Sequence, residues 1–203
     1  MHARVQGETP SGEHYTALDP HLLDWVHATA AYGFLNAYHR FVRPLTPQEQ
    51  RSFYQDGEVV ARLYGVVNVL REPADFDRML ADLLPRFEPH PIVLEFLNII
   101  RSGEAAPSVP KMLHRGLANA AVSLLPPVVR ERLQLGPEWD LTLAQRLALS
   151  AAGRLIDVRR SRASPAWQAA ERQGLPGEFS WLSPQRQAAI LARRAGAQTA
   201  PVA

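Results

Sequence analysis

Apolar residues recur along this chain at spacings of three and four, and proline and glycine punctuate the runs. Asp19-Pro20 places a capping acid before a proline at the first helical position, and Pro44 stops the run that follows. That predicts a helix from Pro20 to about Val42. Thr46-Pro47-Gln48-Glu49 reads as a capping box, opening a second helix that runs to about Tyr64 before Gly65. Further helices are predicted over 73–86, 91–101, 110–125, 128–133 and 141–160, with two short ones capped by Ser164-Pro165 and Ser183-Pro184. No alternating segment is convincing. The stretch GVVNVL at 65–70 is the one strand-like run, and it is isolated. The fold class expected is all-α: a single multi-helix domain over 1–195 with a central buried helix, about eight to nine helices in all, and a frayed tail over 196–203.

The first helix is unusual. Residues 25–39, WVHATAAYGFLNAYH, hold no full charge, yet keep two His, two Tyr, a Thr, an Asn and a Trp. At 100° per residue, Leu22, Leu23, Val26, Ala30, Gly33, Phe34, Ala37 and Phe41 share one apolar face. Trp25, Thr29, Tyr32, Asn36 and His39 line the opposite one. A helix without charge all round is buried all round, and its polar groups then need partners or a cavity. The expectation is one face in the core and the other against a pocket or ligand. The plainer alternative is a core helix whose Trp, Tyr and His tips bond to neighbouring backbone.

Composition narrows the chemistry. The chain has 203 residues and no cysteine, which excludes disulfides, cysteine-held zinc, iron–sulfur clusters and thiolate-bound haem. Residues 1–100 carry 8 basic against 13 acidic side chains, and residues 101–203 carry 14 against 7. The arginines are dispersed over several helices, and Arg159, Arg160 and Arg162 close one of them, so no nucleic-acid partner is expected. No stretch reaches the ~18 apolar residues of a membrane span, and Met1 is followed by a polar segment, so a cytoplasmic location without a transmembrane segment is expected. Lys111 is the single lysine among 22 basic residues, a bias typical of a GC-rich bacterial genome. There is no glycine-rich phosphate loop, no nucleophile elbow and no HExxH. Five of the seven histidines, His2, His14, His21, His27 and His39, fall in the first 39 residues. His21 and His27 lie about 120° apart on a helix and cannot chelate one metal together. A single histidine holding haem iron is compatible with this pattern and is not demanded by it.

The block HARVQGETPSGEHYTALDPHLLDWVHAT carries His2, Val5 and Gly7, then Tyr15, Ala17, Asp19 and Pro20, then Trp25-Val26-His27-Ala28-Thr29. It resembles the catalytic domain of the rubber oxygenase (latex clearing protein) and MpaB-type oxygenase family. RPLTPQE with YQDGEVVARLYGV, and LLPPVVRERLQLGPEW at 124–139, continue the likeness, which covers roughly residues 2–160. The resemblance implies an all-α oxygenase that uses haem b and dioxygen on an apolar, isoprenoid-type substrate. It places the iron's axial histidine at His2 and matches Thr29 to a threonine of the haem surroundings. Trp25 and Tyr32 would face the porphyrin or the substrate, and His27 would be structural. Family members carry earlier helices with a distal Arg-x-x-x-Thr pair, whereas this chain begins one residue before His2. The chain is therefore expected to be truncated, with an apolar groove left open and self-association through it. The competing readings are a non-catalytic helical remnant that binds a partner, and a domain of the same fold that binds an apolar ligand without haem.

Overall fold

The computed structural model describes residues 4–8, 12–104, 107 and 109–198. His2 lies outside them. The described chain is mainly helical, as the punctuation predicts: α1 (Pro20–Phe41), α2 (Pro47–Asp56), α3 (Glu58–Leu63), α4 (Pro73–Leu83), α5 (Pro91–Ser102), α6 (Lys111–Leu124), α7 (Pro127–Arg132), α8 (Leu143–Val158), α9 (Pro165–Arg172) and α10 (Pro184–Gln198). Short 3-10 turns span Leu84–Arg86, Pro137–Trp139 and Phe179–Trp181. The caps read from the sequence are present. The Asp19 carboxylate accepts from the His21 amide, and Thr46 and Glu49 complete a reciprocal capping box.

Two features differ from expectation. A small antiparallel ribbon precedes α1, pairing β1 (Gln6–Glu8) with β2 (His14–Thr16) in the register Gly7 opposite Tyr15. Three residues per strand are too few for alternation to show in the sequence. The helix expected over 47–64 is divided at Gly57, where a residue without a side chain weakens the helix. The backbone stays almost helical there, since the Gly57 amide still reaches the Phe53 carbonyl at 3.2 Å. The isolated run 65–70 is not a strand, in keeping with the all-α reading. The Gly65 and Val66 amides bond back to Arg62 and Ala61 and close α3 with a left-handed glycine at φ 84°.

The chain clusters into two compact units, 1–153 and 154–203. In the first, α1 packs on α2, α4 and α6, and α5 packs on α6. One core cluster gathers Ala28 and Leu35 of α1, Tyr54 of α2, Phe76 and Leu80 of α4, with Leu70 and Val129. Burial pushes the Tyr54 hydroxyl up to about 12, so it stays a neutral phenol. A second cluster joins Leu97, Ala118, Val122, Leu135 and Trp139. Beside it, Arg101 lies over the Trp139 ring at 3.9 Å and donates to Asn119 Oδ1 and the Glu138 carbonyl. The second unit holds α9 and α10. There Ser164 caps α9, Trp181 Nε1 donates to the Asp157 carbonyl, and the Trp167 and Trp181 rings lie 6.3 Å apart.

The orientation of α1 reverses the expectation for its faces. Its buried residues are Asp24, Ala28 and Leu35, with Trp25, Ala31 and Tyr32 packed partly beside them. The apolar stripe faces out: Val26 is 63% and Phe34 72% exposed, and Leu22 and Ala30 are also exposed. The reason is aromatic. Trp25 and Tyr32 bury more area than Val26 or Ala30 can, and α4 offers them a ring to stack on.

Candidate functional site

Pro126-Pro127 sets up the local chemistry. Pro127 has no amide hydrogen for the Ser123 carbonyl, and the extended backbone at Leu125 and Pro126 ends the helical pattern before the Leu124 carbonyl is met. Leu125 and Pro126 run extended, and the Leu125 amide turns back to Val122. The Ser123 and Leu124 carbonyls are instead met by α1. Arg40 Nη1 donates to Ser123 at 2.5 Å, and the Tyr32 hydroxyl donates to Leu124 at 3.1 Å. These two bonds tie the second half of α1 to the break between α6 and α7.

A cavity of about 740 Å³ opens at this junction. From α1 it takes Tyr32, Asn36, His39 and Arg40, which share a face at spacings of four, three and one. The segment Ser123–Pro127 and Arg130 of α7 supply the rest. Leu124, Leu125 and the two prolines make an apolar side, while the α1 residues and Arg130 make a polar one.

Each polar side chain is held. Asn36 Nδ2 donates to the Tyr32 carbonyl at 2.9 Å, which leaves its oxygen as an acceptor. His39 Nδ1 accepts from the Leu45 amide at 2.9 Å, so the neutral ring carries its hydrogen on Nε2. Arg130 Nη2 donates to the Gly136 carbonyl at 3.1 Å and to Asp140 at 2.9 Å. Burial raises the Tyr32 hydroxyl above its ordinary value, the Asp77 charge adds to that, and Arg40 opposes it. Tyr32 is therefore a neutral donor at ordinary pH.

The residues that the resemblance assigns to haem are dispersed. His2 lies outside the described residues. Trp25 stacks on Phe76, with ring centroids 6.0 Å apart and planes at 13°, and meets Phe87 edge-on at 5.6 Å. Tyr32 stacks on Phe76 at 4.1 Å. Phe76 thus joins both rings in the core. The Thr29 hydroxyl donates to the Val26 carbonyl of its own helix at 3.0 Å. Of the polar face read from the sequence, Tyr32, Asn36 and His39 line the cavity, while Trp25 and Thr29 do not. His27 is half-buried on another side of the helix. No group of three or more His, Cys, Asp or Glu placed to hold a metal ion occurs among the described residues.

Sequence reasoning missed Arg40 and Arg130 as cavity residues. Arg40 follows Tyr32 by eight positions, on the same side of the helix, and the adjacent prolines mark where free carbonyls must lie. Together these were the available signal.

The fold defines a helical domain with a partly apolar cavity at a proline-broken helix junction. Residues 1–158 match the family described as ER-bound oxygenase mpaB/B'/Rubber oxygenase, catalytic domain. That span is most of the chain, and the chain belongs to this family of oxygenase catalytic domains. No curated protein and no solved structure matches it. No helix among the described residues is long and apolar enough to cross a membrane.

Proposed function

We propose that this chain is an oxygenase that acts with dioxygen on an apolar, isoprenoid-type substrate, with haem b on His2 as its cofactor. The family match over residues 1–158 carries this reading. The described residues that the resemblance assigns to haem do not fit a porphyrin wall in this arrangement. Phe76 covers a ring face of Trp25 and of Tyr32, and Thr29 spends its hydroxyl hydrogen within α1. If held by His2, haem b would supply the dioxygen chemistry, and the chain's part would be to bind and orient the apolar substrate.

His39 is a poor substitute ligand. Its Nδ1 lone pair is engaged by the Leu45 amide, and its Nε2 carries the hydrogen. Of the two further candidates on α1, His27 and His39, this favours His27.

The filled Trp25–Phe76–Tyr32 stack favours a second reading, a helical module that binds an apolar ligand or partner without haem. The exposed stripe on α1 supports it too, and self-association through that stripe belongs to the same proposal. Titration with haemin, followed by absorption spectroscopy, separates the two. The oxygenase reading expects a shifted Soret band that is lost in His2→Ala, and oxygen uptake when squalene is added to the loaded protein. A spectrum indifferent to His2→Ala overturns the axial assignment, and no uptake at stoichiometric loading favours the second reading.

A further inference from the structure

We infer that the cavity at the α6–α7 break is a binding site for an amphipathic carboxylate, an organic acid with an apolar body. The inference rests on the cavity itself and is independent of the haem assignment. Its about 740 Å³ falls within the range of small-molecule sites, which runs to roughly 1,000 Å³. One side is Leu124, Leu125, Pro126 and Pro127, a surface that favours hydrocarbon. The other side presents fixed cationic and neutral donors and no carboxylate.

Arg40 is the cationic anchor of this site. Its Nη1 is tied to the Ser123 carbonyl, which holds the guanidinium at the cavity edge. Among the described residues it forms no salt bridge; the exposed guanidinium otherwise lies 5.9 Å over the Phe41 ring, which leaves N–H groups open to a ligand. A planar guanidinium with two free donors matches a planar carboxylate in a forked pair. His39 adds a directed donor, because the Leu45 amide fixes the hydrogen on Nε2. Arg130 adds positive charge, partly offset by Asp140, which it holds at 2.9 Å. An alcohol or an alkane would leave Arg40 unanswered, while a bare inorganic anion would leave the leucine–proline side wet.

The test uses decanoate below its micellar range, with decanol and inorganic phosphate as controls, and follows amide shifts of the full chain by NMR. Decanoate is expected to move the Leu124 and Leu125 amides. Decanol and phosphate should each bind about tenfold more weakly, as losing one charged, forked contact or the apolar contact implies. Arg40→Gln should weaken decanoate about tenfold, and Arg40→Lys should restore part of that loss. A second measurement needs no variant: raising salt should weaken decanoate and leave decanol unchanged, since screening acts on the charged contact alone. No shift at Leu124 and Leu125 would overturn the proposal. Equal affinity for decanol or phosphate, an Arg40→Gln protein that binds normally, or decanoate binding that ignores salt would do the same.

Discussion

The buried Asp24 of α1 and the exposed Asn68, beyond the end of α3, are locked together. Asn68 Nδ2 donates to Asp24 Oδ2 at 2.7 Å, while Asp24 Oδ1 takes the Val67 amide at 2.8 Å and the Asn68 amide at 3.3 Å. The Asp24 residue is only 4% exposed. One carboxylate thus satisfies three donors that a loop would otherwise leave unpaired, and it fixes 65–70 against α1.

Asp24→Ala is expected to destabilise the first unit by about 1–3 kcal/mol, because three donors of the 67–68 turn lose the charged acceptor that ties them to α1. Asp24→Asn keeps one acceptor oxygen and should cost about half as much. Denaturant unfolding of the two variants against the parent checks the order. An Asp24→Ala protein as stable as the parent would remove Asp24 from the core's polar framework.

A second close approach depends on Gly103, the left-handed cap of α5 at φ 88°. A Cβ placed there would lie 2.6 Å from His114 Nε2. His114 is buried and Nε2 donates to the Val109 carbonyl at 2.8 Å, so the ring has a reason to stay. Gly103→Ala combines backbone strain of about 1–2 kcal/mol with an overpacking cost of about 1–3 kcal/mol. A drop in thermal midpoint larger than that of Gly33→Ala, where a Cβ would meet nothing within 4 Å, is the expected result.

Much of this was legible in the chain, and the exceptions have physical causes. Thr46, Pro47 and Glu49 announce α2 because a capping box is a local device, complete within four residues. The outward turn of α1 is not local. It depends on Phe76 and Phe87, more than forty residues away, which draw Trp25 and Tyr32 inward and leave Val26 and Phe34 outside. Counting Trp and Tyr as polar handles hid that they were the larger apolar surfaces. Asp24 was unreadable for a similar reason: its three donors come from a run that looks like a strand. For the cavity, Tyr32, Asn36 and His39 were visible as a face, but the carbonyls that complete it, on Ser123 and Leu124, turn to α1 because the proline pair ends α6.

The bond between the Tyr32 hydroxyl and the Leu124 carbonyl gives a sharper test of that junction. Tyr32→Phe keeps the stack on Phe76 and removes the donor, so about 1–3 kcal/mol should be lost. Tyr32→Ala also removes the ring and should cost about 3–5 kcal/mol. If the two variants unfold alike, the ring contributes nothing and the stack is not holding α1 to α4.

Glu49 makes α2 sensitive to acid. The Arg43 guanidinium beside it, with the Thr46 amide and hydroxyl, holds its carboxyl at about 2, below its ordinary 4.5. A depressed acid stabilises the fold above its unfolded value and loses that stabilisation as pH falls through the folded one. The contribution is therefore complete above about 4.5, and declines towards pH 2. Amide exchange at Thr46 and Glu49 should quicken across that window in the parent chain and show no such change in Glu49→Gln.

The exposed stripe of α1 makes the broadest prediction. Val26, Ala30 and Phe34 follow one another at intervals of four on the outer side of the helix, and Gly33 beside them faces open space. Contiguous apolar surface of this kind marks a place where something binds. A hydrophobic dye such as ANS should fluoresce with the folded chain, and sedimentation should show association that rises with concentration. Val26→Gln together with Phe34→Gln should reduce both signals without lowering the unfolding midpoint, because neither side chain contributes to the core. Should the double variant bind dye as strongly as the parent, the surface responsible lies elsewhere, with the exposed Ile92 and Phe96 of α5 as the next place to substitute. Should it unfold earlier, the stripe is covered in solution by structure that these two residues hold in place.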